Sequence, residues 1–418
     1  MAHLRHAREK VAAALATISD IQQFDFPYDD AKEAIAVVKD KFTGLQDTLG
    51  LLSDNSNPDT VRTVCRRVTE ALFQYLPILG FLIRATDVRG PLEFHRPFLR
   101  ITRKLLGSDA RLIISSDWDF SPYTIIFPDL FGGYRFVMVA LPTSEACNAL
   151  ITPLAAHELG HNVWAKEGLR EEFERAALEK LIAKIQGPRW DEFKKTFNLA
   201  NPDQLTDLVG TQLWENAWVW AVAQCEEIFC DFIGVVLFRE SYLLAFDYLI
   251  APGLPGDRPE RYPSMKNRIE AMSSAAKKLG IDVPTDFEER FDEEDGEAEP
   301  QKALLLSLSD EISNMLLDEL LVVAIDKIKC AGIEACDKAA VDKIVDAYKK
   351  MVPASGTTGI DAVVNAAWKF KNTHSHYWAS YHPRMKNNEA NRLRLLNDLV
   401  LKSFEIFEIE RLQEYNGQ

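Results

Sequence analysis

Two histidines and a glutamate stand in the stretch His157-Glu158-Leu159-Gly160-His161. On a helix, residues four apart share a face, with Cβ atoms about 6 Å apart. His157 and His161 can therefore hold one metal ion between them. Glu158 is turned by about 100° from His157, which can bring its carboxylate beside a water polarised by that ion. This is the arrangement that metal-assisted peptide hydrolysis needs, with Glu158 as general base. The plainer alternative is a core helix whose two histidines are satisfied by their neighbours.

A catalytic zinc takes three protein ligands and leaves a position for water, so the chain must supply one more. The short-spaced pattern H-E-x-x-H-x-x-G-x-x-H would need a glycine at Trp164 and a histidine at Glu167. Glu179 lies downstream on what reads as a charged surface helix, and Ala183 stands where an orienting aspartate is needed. Glu227 fits better. Asp231 follows four residues later on the same helical face and can accept a hydrogen bond from the second nitrogen of one histidine, fixing its tautomer. Glu226 competes with Glu227, but the residue four after it is Cys230. The surrounding run, Ala217 to Ile250, is strongly apolar. Carboxylates there need compensation, because an unpaired buried charge is costly. A metal supplies it; capped or salt-bridged helix charges are the alternative.

With these residues in place the chain resembles the gluzincin metallopeptidases. The similarity rests on Ala156-His157-Glu158-Leu159-Gly160-His161 and the distant Glu227-x-x-x-Asp231. Closest is the group containing the CAAX prenyl endopeptidases and the HtpX-type heat-shock proteases. That group has a third motif, H-P-S-x-x-x-R. Here Tyr262-Pro263-Ser264-Met265-Lys266-Asn267-Arg268 fits it, except that Tyr262 replaces the histidine. The resemblance spans roughly residues 135–272. It implies a zincin-like core and Zn2+ held by His157, His161 and Glu227, with Asp231 behind them. Tyr262 and Arg268 are candidates for binding the oxyanion or substrate. His382 is a third, because Tyr381-His382-Pro383-Arg384-Met385-Lys386-Asn387 echoes Arg261 to Asn267. The relatives are commonly membrane-embedded, and their substrate class does not transfer to a chain without a spanning helix.

The elements that must position these groups are mostly helical. Thr152 can cap the motif helix, and Pro153 then occupies the first helical position, where its missing N–H costs little. Gly160 costs about 1 kcal/mol of helix propensity relative to Ala, so its place between the histidines implies a close neighbour. Residues 1–109 carry apolar residues at three- and four-residue spacings and read as a helical region. Arg111–Ser115, Tyr123–Phe127 and Tyr134–Leu141 read as short strands of a small antiparallel sheet. The last of these is either an edge strand able to take an extended peptide or a core strand. Residues 110–283 then form the metallopeptidase core, 284–301 an acidic linker, and 302–418 a helical region expected to pack back on the core. The expected fold is mainly α with a small antiparallel β-sheet, an α+β arrangement.

Composition bounds the rest. The formal net charge of −15 disfavours direct nucleic-acid or anionic-membrane binding. The six cysteines form no C-x-x-C pair, and no signal-peptide core opens the chain. The most apolar runs, Leu72–Ile83 and Ile228–Phe238, are short of a membrane span. These features suit a cytoplasmic protein with a protein or peptide substrate. His95 stands alone and reads as structural. His374, His376 and His382 form a weak H-x-H grouping best read as surface histidines. Two rivals remain open: a helical interaction or scaffold protein with a structural or vestigial metal site, and a latent protease switched on by a regulatory protein partner.

Overall fold

The computed structural model describes the chain except residues 1, 54, 86–91, 119–120, 146–147, 200–212, 254–257, 292–298, 357–358, 382–384, 387 and 417–418, with backbone alone at 2, 92 and 414–416. The chain divides into two compact units, Met1–Cys147 and Asn148–Gln418. The division therefore falls after the sheet, not before it at 109/110.

The first unit opens with four helices: α1 (Ala2–Ile21), α2 (Asp29–Gly50), α3 (Pro58–Arg84) and α4 (Leu92–Leu106). Their apolar stripes bury Val11, Ile35, Phe42 and Phe81 in a core shared with Met138 of the sheet. The sheet has three strands, β1 (Arg111–Asp117), β2 (Tyr123–Ile125) and β3 (Phe136–Pro142), in the order β1-β3-β2. The expected antiparallel sheet is in fact mixed, since β1 runs parallel to β3 and only β2 is antiparallel to it. The reason lies in the connection. β2 and a one-turn helix, α5 (Pro128–Phe131), separate β1 from β3, and such a crossover brings the chain back in the same direction. β3 is central and buried at all seven positions. Its ladder is filled on both sides, so it is the core strand and offers no edge. Polar groups pin β1: Asp30 accepts from the Leu112 N–H at 3.0 Å, and His95 Nε2 donates to the Leu112 carbonyl at 2.8 Å.

The second unit begins with a 3-10 turn, Ala149–Leu154, that runs into α6 (Ala155–Lys166). Next come α7 (Leu169–Gln186), α8 (Trp190–Phe197), α9 (Glu215–Phe238), α10 (Glu240–Ile250) and α11 (Met265–Lys278). The remaining helices are α12 (Pro300–Asn314), α13 (Leu317–Cys330), α14 (Lys338–Lys349), α15 (Ile360–His374), α16 (Tyr377–Tyr381) and α17 (Glu389–Asn416). α9 is the axis of this unit. It packs against α6, α7, α11, α12 and α13, which is why its sequence is apolar around nearly its whole circumference.

The motif helix does not start as its sequence suggests. Asn148 caps the 3-10 turn by accepting from the Leu150 N–H, and Pro153 lies inside that turn. Thr152 is buried and its hydroxyl donates back to the Ala149 carbonyl at 2.7 Å, so it caps nothing. The turn is held from the C-terminal helices instead. Trp368 Nε1 on α15 donates to the Leu150 carbonyl at 3.0 Å, and the Ala149 N–H donates to Asn397 on α17 at 2.8 Å. Residues 302–418 thus belong to the same unit as the motif. Within the acidic 284–301 segment, residues 292–298 lie outside the described residues. Among the described residues, no helix is long and apolar enough to cross a membrane.

Candidate metal centre

α6 and α9 lie against each other along the motif, and Gly160 is the reason they can. A Cβ there would sit 2.8 Å from Cys230 Cα and 3.0 Å from its Cβ and Sγ. Only a hydrogen at this position lets the two backbones approach so closely, which brings the histidines of α6 within reach of four acidic and thiol groups on α9.

Each histidine is held from behind by a carboxylate. His157 Nδ1 donates to Asp231 Oδ1 at 2.9 Å, and His161 Nδ1 donates to Glu226 Oε1 at 2.8 Å. An ionised carboxylate can only accept, so the proton is on Nδ1 in both rings and the lone pair of the neutral imidazole is on Nε2. Both Nε2 atoms face Glu227: His157 Nε2 lies 3.3 Å from Oε2 and His161 Nε2 lies 3.9 Å from Oε1. Glu227 is 2% exposed, and its Oε2 is buried without a hydrogen bond. A buried carboxylate oxygen left without a hydrogen bond is rare, and here it points at the Nε2 atoms of both histidines.

Asp231 is the most heavily bonded group in the site. Besides His157 it accepts from the Tyr242 hydroxyl at 2.6 Å, from Arg268 Nε at 2.6 Å and from Arg268 Nη2 at 2.9 Å. Tyr242 comes from α10, and Gly234 on α9 makes room for its ring, which a Cβ there would overlap. Burial alone would raise the Asp231 carboxyl, but Arg268 and His157 override it and hold it well below the usual range. The same contest sets the neighbours. Burial raises Glu227, yet the histidines and Arg268 bring it down to about 2. Burial depresses His157, yet Asp231 and Glu227 hold it up at about 10 in the metal-free chain.

Glu158 behaves differently. It is 5% exposed, and among the described residues its carboxylate makes no hydrogen bond or ion pair. Burial raises its carboxyl, outweighing the attraction of His157 and His161. A desolvated, unpartnered carboxyl poised above its ordinary range is what a proton-transfer group requires.

The remaining expected residues separate. Burial raises the Tyr262 phenol, with the fields of Glu227 and Glu158 adding to it. Arg258 holds the loop beneath: Nε and Nη2 donate to the Tyr262 carbonyl at 3.0 and 2.8 Å, while its guanidinium also pairs with Asp310 of α12. Arg268 is buried and committed to Asp231, whose carboxylate its charge positions. Glu179 is exposed on α7. His374 and His376 join no metal-ligand cluster among the described residues, and His382 lies outside them.

A second donor set shares the two histidines: Cys230 Sγ lies within 4.8 Å of a nitrogen on each. Its thiol is pushed well up by burial and by the surrounding carboxylates, Glu226, Glu227, Asp231 and Glu158. A metal needs the thiolate, and both Nδ1 atoms are already donors to carboxylates. Glu227, ionised and with an unbonded oxygen, is the better third ligand.

Reading the sequence missed three members of this site. Glu226 was visible only as a rival ligand and serves instead as the partner of His161. Tyr242 gives no local signal, since it belongs to a different helix. Arg261 has its Nη2 3.3 Å from Glu227 Oε1 and is 62% exposed; nothing in its spacing points there. No family model matches the chain, and it has no match among curated proteins or solved structures.

Proposed function

We propose that this chain is a metal-dependent hydrolase and, more narrowly, a cytoplasmic zinc peptidase of the gluzincin type acting on protein or peptide substrates. One observation carries the reading: the unbonded Glu227 oxygen faces the Nε2 atoms of two histidines whose other nitrogens are each fixed by a carboxylate. The donor set of two imidazoles and one carboxylate suits Zn2+ with a position left for water. Bound there, the ion would polarise the scissile carbonyl and lower the cost of ionising the attacking water. Asp231 and Glu226 keep both imidazoles in one tautomer and orientation. Glu158 takes the proton released on attack and hands it to the leaving amine. The Tyr262 phenol would be the donor to the developing oxyanion.

Elemental analysis of protein purified without chelators tests the site: one zinc per chain is expected, lost in His157→Ala. No bound metal in the wild type would end the proposal. For the peptidase step, Glu158→Gln should retain zinc but lose cleavage of a proteome-derived peptide library by at least a hundredfold, the scale of a general base. Equal cleavage by both proteins removes Glu158 from the role.

A further inference from the structure

A cavity of about 340 Å³ lies in the Asn148–Gln418 unit, where α10 begins, and is lined by residues of α14 and α15 as well. Its size falls in the range of small-molecule sites. Among its lining are Arg239, Lys338, Glu240 and Asp282, two charges of each sign. None of the four makes a hydrogen bond or ion pair through its side chain among the described residues. Lys369, also in the lining, is by contrast occupied by Asp342.

Arg239 has φ 55° and ψ −133°, a backbone conformation that suits glycine and strains a side chain with a Cβ. Such a residue persists only if its surroundings hold it there, and Asn365 does so on both sides. Its amide donates to the Phe238 carbonyl at 2.9 Å and its oxygen accepts from the Ser241 N–H at 3.0 Å. The junction thus fixes Arg239, whose backbone also caps the end of α9 and the start of α10, in the cavity wall. Beside it, Glu240 is part-buried, and burial and then Asp282 raise its carboxyl against the opposing fields of Lys369 and Lys338.

We propose that this cavity binds a small zwitterion, a free α-amino acid or a dipeptide, with its carboxylate on Arg239 and Lys338 and its ammonium on Glu240 and Asp282. Opposite charges that share a cavity without pairing to each other are matched by a ligand carrying both signs. The inference is independent of the peptidase reading.

The test uses the full chain with Glu158→Gln, so that no dipeptide is consumed. Ligand-observed NMR against the free amino acids and a set of dipeptides selects binders, and calorimetry measures them. The expected result is saturable binding of at least one, weakened tenfold or more when its amine is acetylated or its carboxylate amidated. Arg239→Gly, which relieves the backbone while removing the guanidinium, should also weaken it tenfold or more without lowering the thermal midpoint, and Lys338→Ala on the exposed rim should weaken it too. Binding by an amino acid but no dipeptide, or the reverse, identifies the ligand class. The proposal is overturned if nothing in either set binds, if blocked analogues bind as well, or if both variants bind like the wild type.

Discussion

Replacing Gly160 with alanine isolates the helix contact on which the metal centre depends. By propensity alone the change stabilises α6 by about 1 kcal/mol. Against this, the new Cβ would lie 2.8 Å from Cys230 Cα, about 0.7 Å inside an ordinary carbon–carbon contact of roughly 3.5 Å. The nearest atom is backbone, so no rotamer change relieves it and α6 must shift from α9. Overpacking of this kind costs about 1–3 kcal/mol, which leaves a net loss of about 0–2 kcal/mol once the propensity gain is subtracted. The larger effect is on geometry. The bonds from His157 to Asp231 and His161 to Glu226, at 2.9 and 2.8 Å, would open to about 3.5 Å, where a hydrogen bond is effectively lost. With both imidazoles released, zinc affinity should fall about 10–100-fold, the usual effect of losing such support. Denaturant titration and competition with a chromogenic chelator measure the two effects. Cys230→Ala should not rescue the variant, because the clash with Cα remains. A Gly160→Ala protein that is more stable by about 1 kcal/mol and binds zinc normally would refute the reasoning.

Other expectations follow from the same contacts. Tyr242→Phe removes the hydroxyl bond to Asp231 and should lower stability by about 1–2 kcal/mol and zinc affinity about tenfold, read by the same two assays; unchanged affinity would mean that Asp231 needs no support from α10. Cys230→Ala should keep one zinc per chain while Glu227→Ala loses it, and the opposite pattern in elemental analysis would assign the third ligand to sulfur. In the first unit, burial lowers His95 below its ordinary 6.5, outweighing the Leu112 bond that raises it. A histidine depressed in the folded state contributes its full stability above pH 6.5 and loses it as pH falls below that value. The denaturation midpoint of the wild type should therefore drop more than that of His95→Gln between neutral and mildly acid pH; equal drops would show that His95 does not titrate with unfolding.

What the sequence makes legible follows the range of each interaction. His157, His161, Glu227 and Asp231 are found because four-residue spacing on a helix is a local rule, and each pair lies on one element. Gly160 signals its neighbour because a glycine inside a helix carries a local cost. The partners that come from elsewhere give no such signal: Tyr242 reaches Asp231 from α10 and Arg268 from α11, and neither pairing has a spacing to read. Thr152 misleads for a related reason, since its hydroxyl turns inward to Ala149 while Trp368 and Asn397, far along the chain, hold the start of the helix. The sheet repeats the lesson. Phe136 to Leu141 is apolar without alternation, the mark of a strand buried on both faces, and this much favours a central position. Strand direction is set by how the crossover closes, which no short segment encodes.

The charge arrangement explains why these groups tolerate burial together. Four carboxylates, Glu158, Glu226, Glu227 and Asp231, face two guanidinium groups, Arg261 and Arg268. Arg268 is consumed by Asp231, with both partners buried. Arg261 is largely exposed and its contact with Glu227 is long, so screening leaves it a weak counter-charge. The site therefore lacks about two positive charges in its buried part. In the metal-free chain part of that deficit is met by a proton: His157 is held up at about 10, with Asp231 and Glu227 outweighing the burial that would lower it. That proton would occupy Nε2, the atom that faces Glu227. A divalent cation at the same place makes up the whole deficit, and the proton must leave for it to bind. Zinc binding should accordingly release a proton in this pH range. Calorimetry in buffers of different ionisation enthalpy counts it directly, and binding with no proton released would mean that the nitrogen facing Glu227 was never the one prepared for the metal.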